Sequence, residues 1–233
     1  MRGIYFGSYW MGENDIVFLM AKALSKLCEL TVVDTKIFPN NEQLWYREDY
    51  SNSSSWAIRW LDDERVLRLV EDKRPDFIII NSGGMSLRPE IISILKKKNI
   101  IIIGISLSDP DVFFDNGRIY SQYYDLFYTN SFYAKNNLYK KDNVKLFGFA
   151  AFPEFHHPMK NVEKIYDVVV VGHARPERKK IVSKLSGRFK VGLYGSGWGK
   201  NYKKVNGKDH VRAINSGKIY LSFSSTLAKY TNV

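Results

Sequence analysis

The sequence of 233 residues is poor in cysteine, and Cys28 is its only one. A single cysteine excludes a disulfide framework and a cysteine-rich zinc module. Long apolar runs are also missing: the strand-sized runs at residues 77–80 and 100–103 fall far short of the roughly 18 residues of a membrane-spanning helix. Residues 1–10 carry one positive charge and a short apolar run, which is not typical of a signal peptide. We expect a cytoplasmic protein without a transmembrane segment, with peripheral attachment at the inner membrane face as an alternative.

Acidic residues are scarce in the last third of the chain. Residues 159–233 carry 16 basic and 4 acidic side chains, whereas residues 1–158 carry 19 and 20. The net charge of +11 therefore comes from the last third, which suggests two units with different partners. A strongly positive unit attracts phosphate-bearing ligands. The alternative is a lysine-rich surface that faces only solvent.

Apolar strands alternate with helical patterns along most of the chain. Several strands are continuous apolar runs, as buried parallel strands are, and the alternation predicts an α/β fold with doubly wound parallel sheets. The expected strands are residues 3–7, 30–34, 76–81, 100–105, 126–129, 144–147, 167–172, 190–194 and 218–223, and the expected helices are 16–27, 58–73, 86–98, 132–138, 176–185 and 209–216. Residues 35–57 lack a period and predict a long loop.

The pattern stops and restarts near residue 160, which divides the chain. We predict two Rossmann-like units: an N-terminal domain at 1–155, a linker at 156–165, and a second, incomplete domain at 166–233. The linker contains His156 and His157, but neighbouring side chains point in different directions and no third ligand has suitable spacing. We therefore predict no metal site.

A glycine-containing turn follows the first strand. The spacing of Gly7 and Gly12 is that of a phosphate loop, but residues 13–14 are Glu-Asn where Lys-Ser or Lys-Thr is required. What remains is a βα turn, with Ser8, at the edge where α/β sheets bind ligands. An ordinary tight turn without a ligand is the alternative.

Two more polar turns follow later strands of the same sheet. Gly83 and Gly84 come after the third strand, and Asp109 precedes Pro110 after the fourth. Three polar or glycine-rich turns at one sheet edge favour a binding site there. Asp109 is the carboxylate that we expect to do acid–base or hydroxyl-orienting work, and a turn-forming Asp-Pro pair is the alternative.

The second unit opens with a glycine turn that leads into a helix. Gly172, His173, Arg175 and Arg178 stand there. Backbone N–H groups, the helix dipole and arginine side chains together favour a diphosphate. The alternative, for this turn and for the next one along the chain, is that both are ordinary βα turns without a ligand.

Another glycine turn, with Gly195 and Trp198, follows the next strand at the same predicted edge. It allows backbone to approach a ligand closely, and the Trp198 ring is suited to stack on a base. No catalytic cysteine constellation, G-x-S-x-G elbow or RNA-binding sheet pattern is present, so nucleic acid is not the expected partner.

The chain resembles the GT-B glycosyltransferases, and more narrowly the spore-maturation-type branch of the group-1 enzymes. The resemblance is carried, in the family's order, by residues 76–84 (DFIIINSGG), 105–110 (ISLSDP), 125–130 (DLFYTN), 148–158 (GFAAFPEFHHP), 166–178 (YDVVVVGHARPER), 191–198 (VGLYGSGW) and 216–221 (SGKIYL).

This resemblance implies that the N-terminal unit binds a saccharide or glycoconjugate acceptor. The C-terminal unit would bind a nucleotide-diphosphate sugar in the cleft between the two, as a donor substrate rather than a cofactor and without a metal. By position, Gly172, His173, Arg175 and Arg178 would face the donor phosphates. Gly195, Trp198 and Lys218 would line the nucleotide side, and Asp109 would stand near the acceptor.

The chain departs from the family pattern at its end. A segment whose glutamate is expected to hold the nucleotide ribose would follow, but the sequence ends at Val233. The resemblance therefore predicts a truncated donor domain. A non-catalytic saccharide- or partner-binding remnant, a basic module for nucleic acid or an anionic surface, and a nucleotide-sugar epimerase stay open as alternatives, as does oligomerisation.

Overall fold

The computed structural model describes residues 1–7, 15–35, 59–81, 85–110, 113–199 and 203–223, apart from the side chains of 59, 85, 115 and 116. Within this part of the chain there are two compact units. Unit 1 comprises residues 1–7 and 15–150, and unit 2 comprises residues 151–223. Each unit has its own parallel sheet.

Unit 1 contains a six-stranded parallel sheet in the described residues. The strands of unit 1 in chain order, including two outside this sheet, are β1 (Arg2–Gly7), β2 (Glu29–Asp34), β3 (Arg59–Trp60), β4 (Phe77–Asn81), β5 (Met85–Ser86), β6 (Ile101–Ser106), β7 (Leu126–Thr129) and β8 (Val144–Leu146). The large sheet has the order β2-β1-β4-β6-β7-β8, and β3 pairs with β5 separately. Residues 77–80 of β4 are apolar because this strand is covered on both faces.

Helices cover the two faces of this sheet. They are α1 (Ile16–Leu24), α2 (Asp63–Lys73), α3 (Pro89–Lys97) and the short α4 (Arg118–Tyr120), with π-helical turns at Phe113–Gly117 and Ala134–Leu138. Helix α1 packs Val17 and Ala21 against Tyr5 and Ile79 on one face. Helices α2 and α3 pack against the larger core on the other face. The chain therefore winds outward in both directions from the central pair β1 and β4, to β2 on one side and to β6, β7 and β8 on the other.

Two predicted helix starts in unit 1 are wrong. The helix expected from residue 58 begins only at Asp63, because residues 59 and 60 pair with β5 and Asp62 caps the helix by accepting a hydrogen bond from the Arg65 backbone N–H (2.9 Å). The helix expected from residue 86 begins only at Pro89, since Ser86 lies in β5 and its hydroxyl is 2.7 Å from the Tyr124 hydroxyl. The π-helical turn at Phe113–Gly117 was not expected from the sequence.

Unit 2 contains a three-stranded parallel sheet in its described residues, in the order β10-β9-β11. Its elements are β9 (Tyr166–Val171), α5 (Pro176–Ser186), β10 (Val191–Tyr194), α6 (Gly207–Asn215) and β11 (Gly217–Tyr220). Val169 and Val170 are almost completely buried at its centre. The predicted fold class, α/β with two Rossmann-like units that each have a parallel sheet, is confirmed.

Candidate functional site

The topology of unit 2 identifies one edge of its sheet as the place for a ligand. Strand β9 is central: the chain leaves it through α5 to β10 on one side and returns through α6 to β11 on the other. Ligands of open α/β sheets bind beyond the carboxyl ends of the strands where the winding reverses. That point lies between β9 and β11, and Gly172 is the first residue beyond β9.

The turns after β9 and β10 are held together by hydrogen bonds. The Gly172 N–H donates to the Tyr194 carbonyl (2.8 Å), and the Ala174 N–H donates to the Ser196 carbonyl (2.9 Å). The Trp198 indole N–H donates to the Gly172 carbonyl (2.8 Å). The structure therefore brings the predicted Gly172 and Trp198 into direct contact.

Side chains add to this connection between the turns. The His173 ring nitrogen Nδ1 lies 2.7 Å from the Ser196 hydroxyl oxygen. Gly195 has a φ of +105°, and a Cβ at this position would lie 2.5 Å from the Gly172 carbonyl oxygen. Only glycine permits this close approach of backbone without a shift. Four of the predicted residues, Gly172, His173, Gly195 and Trp198, thus form one compact group.

The N-terminus of α5 opens at the same turn. Arg175 is its N-cap residue in an extended conformation, and no side chain caps the helix. The partial positive charge of a helix N-terminus favours an anion. The Arg175 side chain is exposed, and it makes no side-chain hydrogen bond within the described part of the chain.

Arg178 lies closer to the turn than Arg175. Its guanidinium Nη1 donates to the His173 carbonyl (2.9 Å), and the guanidinium carbon is 5.3 Å from the centre of the Phe223 ring. Phe223 follows β11, so Arg178 connects the ends of the two strands at which the winding reverses. Its charge lies at the predicted edge, while part of its hydrogen-bonding capacity supports the turn.

The structure does not bring Lys218 to this group, and its predicted position on the nucleotide side is corrected. Lys218 is the second residue of β11, and its ammonium lies 2.7 Å from the Asp167 carboxylate at the start of β9. Because the strands are parallel, this pair occupies the amino edge of the sheet, opposite Gly172. Lys218 lowers the pKa of Asp167 through their hydrogen bond.

A cavity of about 850 Å³ lies within unit 2. It is lined by residues 161–163, Ile165, Tyr194, 203–205, Asp209, Arg212, Ala213 and Ser216. Lys203, Lys204 and Arg212 supply positive charge, and Glu163 and Asp209 supply negative charge. Tyr194 and Lys203 lie at the carboxyl end of β10, whereas Ile165 and Ser216 directly precede β9 and β11, so the cavity extends along the sheet toward its amino edge. The sequence offered no signal for this cavity, because it is lined by three separate segments.

The carboxyl edge of the unit 1 sheet contains Gly7 and Asp109. Gly7 ends β1, and its carbonyl accepts a hydrogen bond from the Thr35 N–H (2.8 Å). Ser8, Gly12, Gly83 and Gly84, the other predicted acceptor-side residues, lie outside the described residues.

Asp109 is buried in unit 1. Its Oδ2 accepts hydrogen bonds from the Thr129 hydroxyl (2.6 Å) and the Tyr139 hydroxyl (2.9 Å), and its exposed fraction is 6%. Burial, together with the negative charge of Asp109, raises the pKa of Tyr139 far above its ordinary value. Tyr139 therefore stays a hydrogen-bond donor at neutral pH. These contacts give Asp109 a structural role, whether or not it also acts in catalysis.

The described residues contain no helix that is both long and apolar enough to cross a membrane. In the same part of the chain, no group of three or more histidine, cysteine, aspartate or glutamate side chains has an arrangement that could hold a metal ion.

Comparisons with known proteins give little further information. No protein-family model matches the chain, and no curated protein matches it. Among solved structures, the S. aureus MnaA-UDP co-structure is similar to this chain, with a TM-score of 0.48 and 12% sequence identity over 97% of this chain and 74% of that chain. Such a distant similarity has no weight for function, so function is argued from the geometry alone.

Proposed function

We propose that the chain is a sugar-nucleotide enzyme, a glycosyltransferase, whose unit 2 binds the diphosphate of a nucleotide-sugar donor. The observation that carries the proposal is the pair of connected turns beside the α5 N-terminus. Gly172 and Gly195 bring backbone together there, and Arg175 and Arg178 place two positive charges within one helical turn. A diphosphate matches this combination, because backbone N–H groups and guanidinium groups both donate to its oxygens.

The proposed reaction needs positive charge at this place. When an acceptor hydroxyl oxygen bonds to the anomeric carbon, the bond from that carbon to the diphosphate oxygen breaks, and negative charge develops on the leaving diphosphate. Donors that are already in position stabilise such charge at little reorganisation cost. Arg175, which is exposed, would bind the diphosphate directly. Arg178 would hold the turn and add its charge.

The nucleoside would lie beside the turn that contains Trp198. The Trp198 ring is half-buried and its orientation is fixed by the hydrogen bond to Gly172. The acceptor would bind at the carboxyl edge of unit 1, where Gly7 ends β1 and where Asp109 is the proposed acid–base or hydroxyl-orienting group.

The proposal is tested by titrating the chain with UDP, GDP and ADP in calorimetry at low and moderate salt. We expect binding of at least one nucleoside diphosphate. The substitution Arg175→Ala should weaken it about tenfold, the effect of one lost charge-assisted hydrogen bond. Two matched controls each remove a positive charge elsewhere in unit 2: Lys184→Ala at the other end of α5, and Lys218→Ala at the opposite sheet edge. Both should leave the affinity unchanged.

Two results would contradict the proposal. One is the absence of binding to every nucleoside diphosphate. The other is an equal loss of affinity in Arg175→Ala and in both controls, since binding would then follow net charge rather than the turn. Product analysis with a UDP-sugar then separates transfer to an acceptor from epimerisation of the sugar.

A further inference from the structure

The proposed function uses only two of the many cations of unit 2. Residues 159–233 carry 16 basic and 4 acidic side chains, and only Arg175 and Arg178 are assigned to the diphosphate. Several of the other cations lie at the amino edge of the unit 2 sheet, opposite the connected turns. This edge consists of the residues directly before β9 and β10 and of the last turn of α5, which runs back to it because the two strands are parallel.

Exposed cations are concentrated at this amino edge. Lys164 precedes β9, Lys184 lies in the last turn of α5, and Arg188 and Lys190 precede β10. All four side chains are exposed. Lys164, Lys184 and Arg188 form no ion pair within the part of the chain that the structure describes. Their charges are therefore not used inside the fold.

The carboxylate at this edge does not cancel these charges. Asp167 Oδ1 pairs with the Lys218 ammonium (2.7 Å), and Asp167 Oδ2 accepts a hydrogen bond from the Lys190 backbone N–H (3.0 Å). Both carboxylate oxygens thus have partners within the sheet, and Lys218 balances the charge. Glu163, the other acidic residue before β9, lines the cavity. The amino edge therefore keeps an excess of positive charge.

Two apolar side chains are exposed among these cations. Ile165 is 42% exposed and directly follows Lys164, and Phe189 is 48% exposed between Arg188 and Lys190. The Phe189 N–H donates to the Leu185 carbonyl (2.9 Å), so the end of α5 holds this residue in place. Since β9 and β10 are neighbours in the sheet, Ile165 and Phe189 lie at adjacent strand starts.

The combination of cations with exposed apolar side chains restricts the partner. A nucleic acid is bound through cations and through groups that stack on or hydrogen-bond to its bases, and the aliphatic Ile165 offers neither. The surface of an anionic bilayer matches both features. Its headgroups attract lysine and arginine, and apolar side chains enter the boundary between headgroups and acyl chains.

We infer that the amino edge of unit 2 docks on a bilayer that contains anionic phospholipids, through Lys164, Ile165, Lys184, Arg188, Phe189 and Lys190. The inference goes beyond the proposed function and does not depend on it. The two are compatible, because the six residues of β9 separate this edge from the connected turns by about 20 Å. A docked chain would keep the turns accessible to a water-soluble nucleotide.

The test is sedimentation of the full chain with vesicles of three parts phosphatidylcholine and one part phosphatidylglycerol. Pure phosphatidylcholine vesicles and duplex DNA are the comparison partners. We expect binding to the anionic vesicles, much weaker binding to the neutral ones, and a steep loss of binding as salt is added. Arg188→Ala and Lys164→Ala should each weaken binding about fivefold, the effect of one cation close to an anionic surface.

Lys208→Ala is the matched control for these charge changes. Lys208 is an exposed lysine in the first turn of α6, which begins at the carboxyl edge of the same sheet. Its removal takes the same charge from unit 2 and should leave vesicle binding unchanged. Arg175→Ala, also at the carboxyl edge, should weaken diphosphate binding and leave vesicle binding unchanged.

Contact with the apolar part of the bilayer is measured by fluorescence. Phe189→Trp places an indole at the amino edge, and vesicles with brominated acyl chains should quench its emission. The signal is the difference from the unsubstituted chain, which has five tryptophans. Phe132→Trp is the control, because Phe132 is 72% exposed in unit 1 and should not be quenched. Phe189→Ser should weaken vesicle binding about fivefold, because a partly buried ring is lost from the interface.

Four outcomes would overturn the inference: no binding to anionic vesicles, equal binding to neutral vesicles, a loss in Lys208→Ala as large as in Arg188→Ala, or no more quenching in Phe189→Trp than in Phe132→Trp. Tighter binding to duplex DNA that Phe189→Ser leaves unchanged would assign the edge to nucleic acid instead. The nucleoside diphosphate titration is a separate measurement, so failure of the inference and failure of the proposed function are distinguishable.

Discussion

Burial changes the interpretation of Asp109 at the scale of single residues. From the sequence it is a carboxylate in a turn near a predicted binding edge, and such a group suits acid–base work. In the fold it is the common acceptor for the hydroxyls of Thr129 and Tyr139. Both donors are buried, so removing their acceptor leaves two polar groups without partners.

We expect Asp109→Ala to lower the free energy of unfolding by about 3 kcal/mol, because two buried hydroxyls lose their acceptor. Tyr139→Phe should cost about 1 kcal/mol, since Thr129 still donates to the carboxylate. Urea denaturation measures both changes. Asp142→Ala, which removes an exposed carboxylate in the same unit, is the control and should stay within about 0.5 kcal/mol. If Asp109→Ala kept full stability but lost sugar transfer, Asp109 would be catalytic rather than structural.

The candidate site shows what residue-level patterns can and cannot predict. The glycines at 172 and 195 were identified correctly as members of turns because positive φ angles favour glycine strongly. The position of Lys218 on the nucleotide side came from the family resemblance and not from the strand pattern. The predicted strand 218–223 begins at Lys218, and the first residue of a strand in a parallel sheet lies at the amino edge, which is where the structure has it.

At the scale of elements, the turns after β9 and β10 act as one unit. The Gly172 and Ala174 N–H groups donate to carbonyls of Tyr194 and Ser196, and the Trp198 indole donates back to the Gly172 carbonyl. The arrangement requires close approach at Gly195, where a side chain would meet the Gly172 carbonyl. A change in one turn should therefore disturb the other.

Gly195→Ala should destabilise unit 2 by about 2 kcal/mol, because alanine is strained at a φ of +105° and its Cβ would force the turns apart. It should also weaken nucleoside diphosphate binding. Gly187→Ala is the matched control: this glycine has a φ of −73°, and its Cβ would lie 3.7 Å from the nearest atom. The control should change stability by less than about 0.5 kcal/mol in thermal unfolding. Equal effects of the two substitutions would show that the turns do not depend on close approach.

Most elements were predictable because their causes are local. Four consecutive apolar residues in β4 and the apolar spacing of α1 follow directly from burial on one or two faces. The start of α2 was placed too early because residues 59–60 pair with β5, some 25 residues later, which no local pattern reveals.

At the scale of the whole molecule, the two units differ in the size of their buried side chains. Unit 1 buries tyrosine, phenylalanine, isoleucine and leucine in a large cluster, whereas the buried apolar residues among the described part of unit 2 are valines and alanines. Burial of smaller side chains removes less apolar area from water and gives less stability. Unit 2 should therefore be the less stable unit, and it also contains a histidine that makes its stability depend on pH.

Burial lowers the pKa of His210, and the nearby His156 lowers it further. The folded state thus binds a proton less readily than the unfolded state, so unit 2 should lose stability as the pH falls through the unfolded pKa of about 6.5. Native-state hydrogen exchange at about pH 7.5 and about pH 5.5 measures this, because opening free energies are obtained separately for each strand. We expect the opening free energy of β9 to fall on acidification and the opening free energy of β4 to change much less. His210→Gln should reduce the loss in β9, whereas His157→Gln, at an exposed histidine of the same unit, should retain it. If the opening free energy of β9 falls equally in both variants, groups other than His210 cause the pH dependence.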